Sequence, residues 1–105
     1  LNRMSPAAGN PADMKALASG HRASKLIGQD VVNESNETVG SIDDIILTQD
    51  NQIQAIVSVG GFLGMGERLV AVPMDQLQMR DEKFVMRNAT KDSLQRRPEF
   101  KYQSR

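Results

Sequence analysis

The chain has 105 residues, enough for one small domain with a single modest core. It has no cysteine, which excludes disulfides, thiolate metal sites and thiol nucleophiles. The formal net charge is zero, which argues against nucleic acid as the main partner, because such binders carry a dominant basic patch.

Residues 1–22 read as a flexible N-terminal arm. Pro6 to Pro11 is a low-complexity stretch without periodicity. Asp13 to Ala18 is sufficient for a turn or two of helix capped near Asp13, too short to be stable alone. His21, the only histidine, lacks the companion ligands a metal site needs and reads as a solvated side chain. No apolar run approaches the ~18 residues of a bilayer span. No signal peptide is visible, yet the chain opens on Leu1. A trimmed start is therefore expected to be possible, and the compartment stays open between cytoplasm and periplasm.

A domain is expected over 23–88. Ser24 is placed to cap one helical turn that Gly28 ends. Asp30–Asn33 reads as a strand, Glu34–Glu37 as a polar turn, and Thr38–Thr48 as a longer strand. Alternation breaks at Asp43 and Asp44, which predicts a bulge or bend there. After a turn at 49–52, Ile53–Val59 alternates, with Ile53, Ala55, Val57 and Val59 on one face. Leu69–Val72, stopped by Pro73, Gln76–Met79 and Phe84–Arg87 complete the strands, with a turn at 80–83. Over 89–105, Thr90 caps a short helix through Leu94, and Pro98–Tyr102 is extended with Phe100 and Tyr102 as anchors. Four glycines and three large apolar residues lie between the strands ending at Val59 and starting at Leu69. Glycine lets such a loop turn sharply. Phe62, Leu63 and Met65 then either tuck into the core or form a contact surface.

The motifs Ala-Ser-Lys-Leu-Ile-Gly (23–28), Thr-Val-Gly-Ser-Ile-Asp-Asp-Ile-Ile-Leu (38–47), Val-Gly-Gly-Phe-Leu-Gly-Met-Gly-Glu (59–67), Val-Ala-Val-Pro (70–73), Ala-Thr-Lys-Asp-Ser-Leu (89–94) and Pro-Glu-Phe (98–100) resemble the PRC-barrel domain. That domain is shared by the cytoplasmic part of the photosynthetic reaction centre H subunit and the C-terminal domain of the ribosome maturation factor. The resemblance covers about 23–102 and is strongest to stand-alone bacterial members. It implies a compact β-barrel used for docking to proteins, with no catalytic set to carry over.

The remaining candidate sites are weak. The glycine loop leads into a β-prone run rather than a helix, and no Lys-Ser or Lys-Thr follows it, so it does not read as a phosphate cradle. Asp43 and Asp44 are too few carboxylates for a calcium cage. Asn33, Asn36 and Asn88 match the glycosylation tripeptide but read as turn and cap residues. No serine stands in a strand–elbow–helix setting. The charge pattern leaves two readings. From Leu26 to Glu67 there are seven acidic residues and no basic one, whereas both flanks are net basic. Either acidic and basic strands lie side by side, or an acidic face docks a basic partner or a second copy.

The fold expected is all-β, a small barrel of five or six strands with short helical turns at its ends. The function expected is non-catalytic binding of a protein partner or formation of a homodimer, with no cofactor, metal or small-molecule substrate. Phe62, Leu63 and Met65 would make the contact, with Glu67 and Arg68 orienting it at the rim. The alternative is a scaffold component of a membrane-associated electron-transfer complex, with Arg96, Arg97, Lys101 and Arg105 touching lipid.

Overall fold

The computed structural model describes residues 11–60 and 67–103. Helix α1 spans Pro11–Ala18 and α2 spans Ala23–Leu26. Six strands follow: β1 Asp30–Val32, β2 Thr38–Leu47, β3 Ile53–Val59, β4 Arg68–Pro73, β5 Gln78–Arg80 and β6 Lys83–Val85. A 3₁₀ turn, Met74–Gln76, separates β4 from β5, and α3 spans Lys91–Gln95. Among the described residues no helix is long and apolar enough to cross a membrane.

The strands form one sheet in the order β4-β3-β2-β1-β6-β5. All neighbours are antiparallel except β1 and β6, which run parallel. The two edge strands, β4 and β5, are consecutive in the chain. In a flat sheet they would stand five spacings apart, ~24 Å. Pro73 and Gln78 are joined by a stretch that spans at most ~18 Å when extended, and its 3₁₀ turn shortens that further. The sheet must therefore curl until its edges approach. It does not close: among the described residues no ladder joins β4 to β5, because the 3₁₀ turn stands between them. The barrel expected from the sequence is thus a curled, open sheet.

The concave face holds the core. Val31, Ile42, Val57, Val59, Val70, Val72 and Phe84 pack there, and Leu94 of α3 joins the same cluster. In β3, Ala55, Val57 and Val59 point inward as the alternation predicted, whereas Ile53, at the hairpin end, is half exposed beside exposed Leu47. The bulge falls where the pattern broke, with Asp43 inserted between the pairs Ile42–Val57 and Asp44–Ile56. Ser24 lies inside α2 and caps nothing; the N-cap is Arg22. The strand expected over 76–79 begins later, at Gln78, because the corner occupies Met74–Gln76.

Turns are closed by side chains. Asn33 is buried at the β1–β2 turn. Its Oδ1 accepts from the Ser35 and Glu37 amides, and its Nδ2 donates to Glu37 Oε1 and the Ala89 carbonyl. All four contacts of the amide are thereby used, and the turn is pinned to the segment before α3. Thr90 caps α3 in a capping box with Ser93.

Two positions carry backbone constraints with measurable consequences. A methyl at Gly40 would approach the Ser58 carbonyl oxygen to 2.7 Å and Val57 Cγ1 to 2.8 Å. The carbonyl belongs to a laddered strand, so Gly40→Ala should cost about 1–3 kcal/mol in denaturant unfolding. Asp81 and Glu82, the two-residue hairpin between β5 and β6, have φ of 52° and 64°. A primed turn favours glycine at its second position. Glu82→Gly should therefore stabilise by up to about 1 kcal/mol, seen as a raised Tm.

Candidate functional site

The glycine loop leaves β3 at Gly60 and returns at Glu67, and the convex side of the sheet at that end carries the candidate site. Phe62, Leu63 and Met65 lie outside the described residues. Glu67 is exposed, and its carboxylate accepts a hydrogen bond from the Ser58 hydroxyl. Arg68 is half-buried and faces the C-terminal tail: Nη2 donates to the Arg97 carbonyl at 3.0 Å, and Nη1 lies 3.6 Å from Glu99 Oε1.

The tail builds the other wall. After α3 the chain lies along the outer edge of β4. The Phe100 N–H donates to the Leu69 carbonyl at 2.7 Å. Arg97 Nη1 donates to the Ala71 carbonyl at 3.2 Å, and Nη2 lies 3.4 Å from Gln76 Oε1. Beyond Phe100 the tail reaches β2, where the Tyr102 hydroxyl donates to Asp43 Oδ2 at 2.6 Å. The bulge puts Asp43 within reach of this hydroxyl. The Phe100 and Tyr102 rings meet edge to face, with centroids 5.0 Å apart.

Together these residues enclose an open cleft of about 430 Å³, lined by Asp43, Glu67, Leu69, Glu99, Phe100, Lys101 and Tyr102. Three carboxylates and two aromatic rings border it, and Lys101 is its one basic lining residue. Glu99 is already paired with Arg68, so Asp43 and Glu67, with the ring faces, are what favour a cation in this wall. Among the described residues no group of three or more His, Cys, Asp or Glu side chains is arranged to hold a metal ion. His21 is exposed on the segment between α1 and α2.

Among the described residues, no acid of the span 26–67 forms an ion pair with a neighbouring strand. The ion pairs there are Arg68–Glu99 and Arg96–Asp92, and neither uses an acid from that span. Sheet order supplies the reason. The acidic strand β2 lies between β1 and β3, which contain no basic residue, while Arg68, Arg80 and Lys83 sit in β4, β5 and β6. Glu34 is held otherwise. It accepts from the Asn88 amide at 2.7 Å, and that bond, more than the charge of Arg87, keeps its carboxyl below the ordinary value.

Of the expected contact residues, Glu67 lines the cleft directly and Arg68 braces its tail wall. The contribution of Asp43, Glu99 and Leu69 was not readable from spacing. The bulge and the two tail aromatics were separate signals, and only the fold joins them. Partial burial, the hydrogen bond to Asp43 and the charges of Asp43 and Asp44 hold the Tyr102 phenol above its ordinary 10.0. A raised phenol stabilises the docked tail fully below that ordinary value, and this contribution is lost as pH rises through the folded value. Tyr102 is the only tyrosine and there is no Trp, so the absorbance change of phenol ionisation reports it alone. Its ionisation should occur above the ordinary value, and Asp43→Asn should bring it back towards that value.

No curated protein matches the chain. Among solved structures, a 16S ribosomal RNA processing protein, RimM, from Pseudomonas aeruginosa is similar at 14% identity with a TM-score of 0.48, over 64% of this chain and 43% of that one. The chain thus spans less than half of that protein's length. The model of the PRC-barrel domain matches residues 19–94, more than half of the chain, and by that match the chain belongs to the PRC-barrel domain family.

Proposed function

We propose that this PRC-barrel chain is a non-catalytic binding module that docks a basic segment of a protein partner. The contact face is the cleft of Asp43, Glu67 and Glu99 together with the residues of the glycine loop that precede Glu67 in the chain. The observation that carries this reading is the acidic strand β2, whose Asp43 and Asp44 have no cationic partner among the described residues and whose bulged Asp43 opens onto the cleft. Carboxylates left without a cation steer and orient a basic partner, mostly through the rate of association. The aromatic pair beside them adds a face for a guanidinium or ammonium group.

Phe62, Leu63 and Met65 complete the contact set through their place in the sequence between Gly60 and Glu67. Arg68 orients the face by holding Glu99 and the Arg97 carbonyl. The membrane-scaffold reading loses support from the same geometry. Arg96 is paired with Asp92 at 2.8 Å, and the Arg97 side chain is held against β4 by the Ala71 carbonyl and Gln76, so neither guanidinium is free to reach out to lipid.

The test uses an arginine-rich peptide and a neutral peptide of equal length as probes, titrated by calorimetry over a salt series. The arginine-rich peptide should bind at low salt and weaken as salt rises. Asp43→Lys combined with Glu67→Lys should abolish binding, and Phe62→Ser with Leu63→Ser should weaken it about tenfold. Equal binding of both peptides, or none at low salt, would remove the proposal.

A further inference from the structure

The tail covers β4 incompletely, and the manner of its failure is informative. Leu69 and Ala71 turn their main-chain groups to the outer edge, since both carbonyls are met there by the tail. In an antiparallel strand the N–H and C=O of one residue point the same way. The N–H groups of Leu69 and Ala71 therefore face outward as well. Pro73 shares their side, where its missing N–H costs no bond to β3.

The tail meets β4 at two points: the Arg97 guanidinium reaches the Ala71 carbonyl and the Phe100 N–H reaches the Leu69 carbonyl. A true strand would place its next inward N–H two residues before Phe100. That residue is Pro98, which has none. The Arg97 guanidinium takes the vacant role by donating to the Ala71 carbonyl. Among the described residues, the Phe100–Leu69 bond is the one main-chain link between tail and edge. The tail thus meets both outward acceptors and supplies a main-chain acceptor to neither outward donor.

We infer that the outer edge of β4 is a strand-acceptor surface for the β4 of a second copy, held closed in the monomer by residues 97–102. The edge is self-complementary about Val70. In an antiparallel pairing centred there, Leu69 faces Ala71 of the other copy, and each such pair exchanges both main-chain bonds. Arg68 faces Val72, so no charge meets its own kind across the axis. The pairing would satisfy the donors that the tail leaves out. This inference concerns the edge, does not depend on the acidic cleft, and has a separate readout.

The test compares the full chain with Arg97→Ala/Phe100→Pro, which removes the guanidinium and the main-chain N–H that are the strap's two holds on β4. Amide hydrogen exchange at 97–102 and Tyr102 fluorescence report release of the tail, circular dichroism reports the fold, and light scattering over a concentration series reports mass. The variant should lose tail protection, keep the sheet, and form a dimer with a dissociation constant about tenfold or more below that of the unaltered chain. Adding Ala71→Pro, which takes no bond from β3, should return it to monomer. A folded variant with a free tail that stays monomeric overturns the inference. So does a tail that stays protected, or a dimer that Ala71→Pro leaves intact.

Discussion

The short corner between Pro73 and Gln78 is the constraint on which the architecture rests. It ties together the first and last strands of a six-stranded sheet, and a flat sheet cannot meet that demand. Curling turns one face into an enclosed core, so Val31, Val57, Val70 and Phe84 from four strands reach one cluster. Leu94 of α3 joins the same core and brings the C-terminal segment against the sheet. The corner also stops short of closure, which leaves β4 as an edge that something must cover.

The C-terminal tail is that cover, and it gives the convex surface its cleft. Without it, Asp43 would be a solvated bulge acid and Arg68 an exposed rim cation. With it, Tyr102 bridges to β2, Glu99 and the Arg97 carbonyl engage Arg68, and a cleft forms between strand and tail. Sheet order adds the charge. Because β2 is flanked by β1 and β3, its acids have no basic strand beside them. One segment therefore both shields a strand edge and walls the candidate cleft, so loss of its contacts would alter the two together.

Much of the local structure was legible. Ile53–Val59 alternates cleanly, and β3 occupies those residues. The break at Asp43–Asp44 marked the bulge, and Thr90 marked the start of α3, because these depend on period and on capping chemistry near in sequence. Other features depended on neighbours distant in the chain. Met74–Gln76 has ordinary composition, and its 3₁₀ form follows from the corner it must turn. Ile53 fits the apolar face by spacing yet is half exposed, since the hairpin end projects past the core. Asn33 looked like a turn residue, and its bond to Ala89 shows a longer reach.

The residues alone determined the strand order along the chain, the position of the bulge, the exclusion of thiol chemistry, and membership of the PRC-barrel family through contiguous motifs. Each of these is written in local periodicity, in composition or in runs of neighbouring residues. Which strands became edges, whether the sheet closed, and whether acids lay beside bases was decided only in three dimensions. Those outcomes depend on contacts between segments far apart in the chain, set by the curl of the sheet and by a tail that spans β4 to β2.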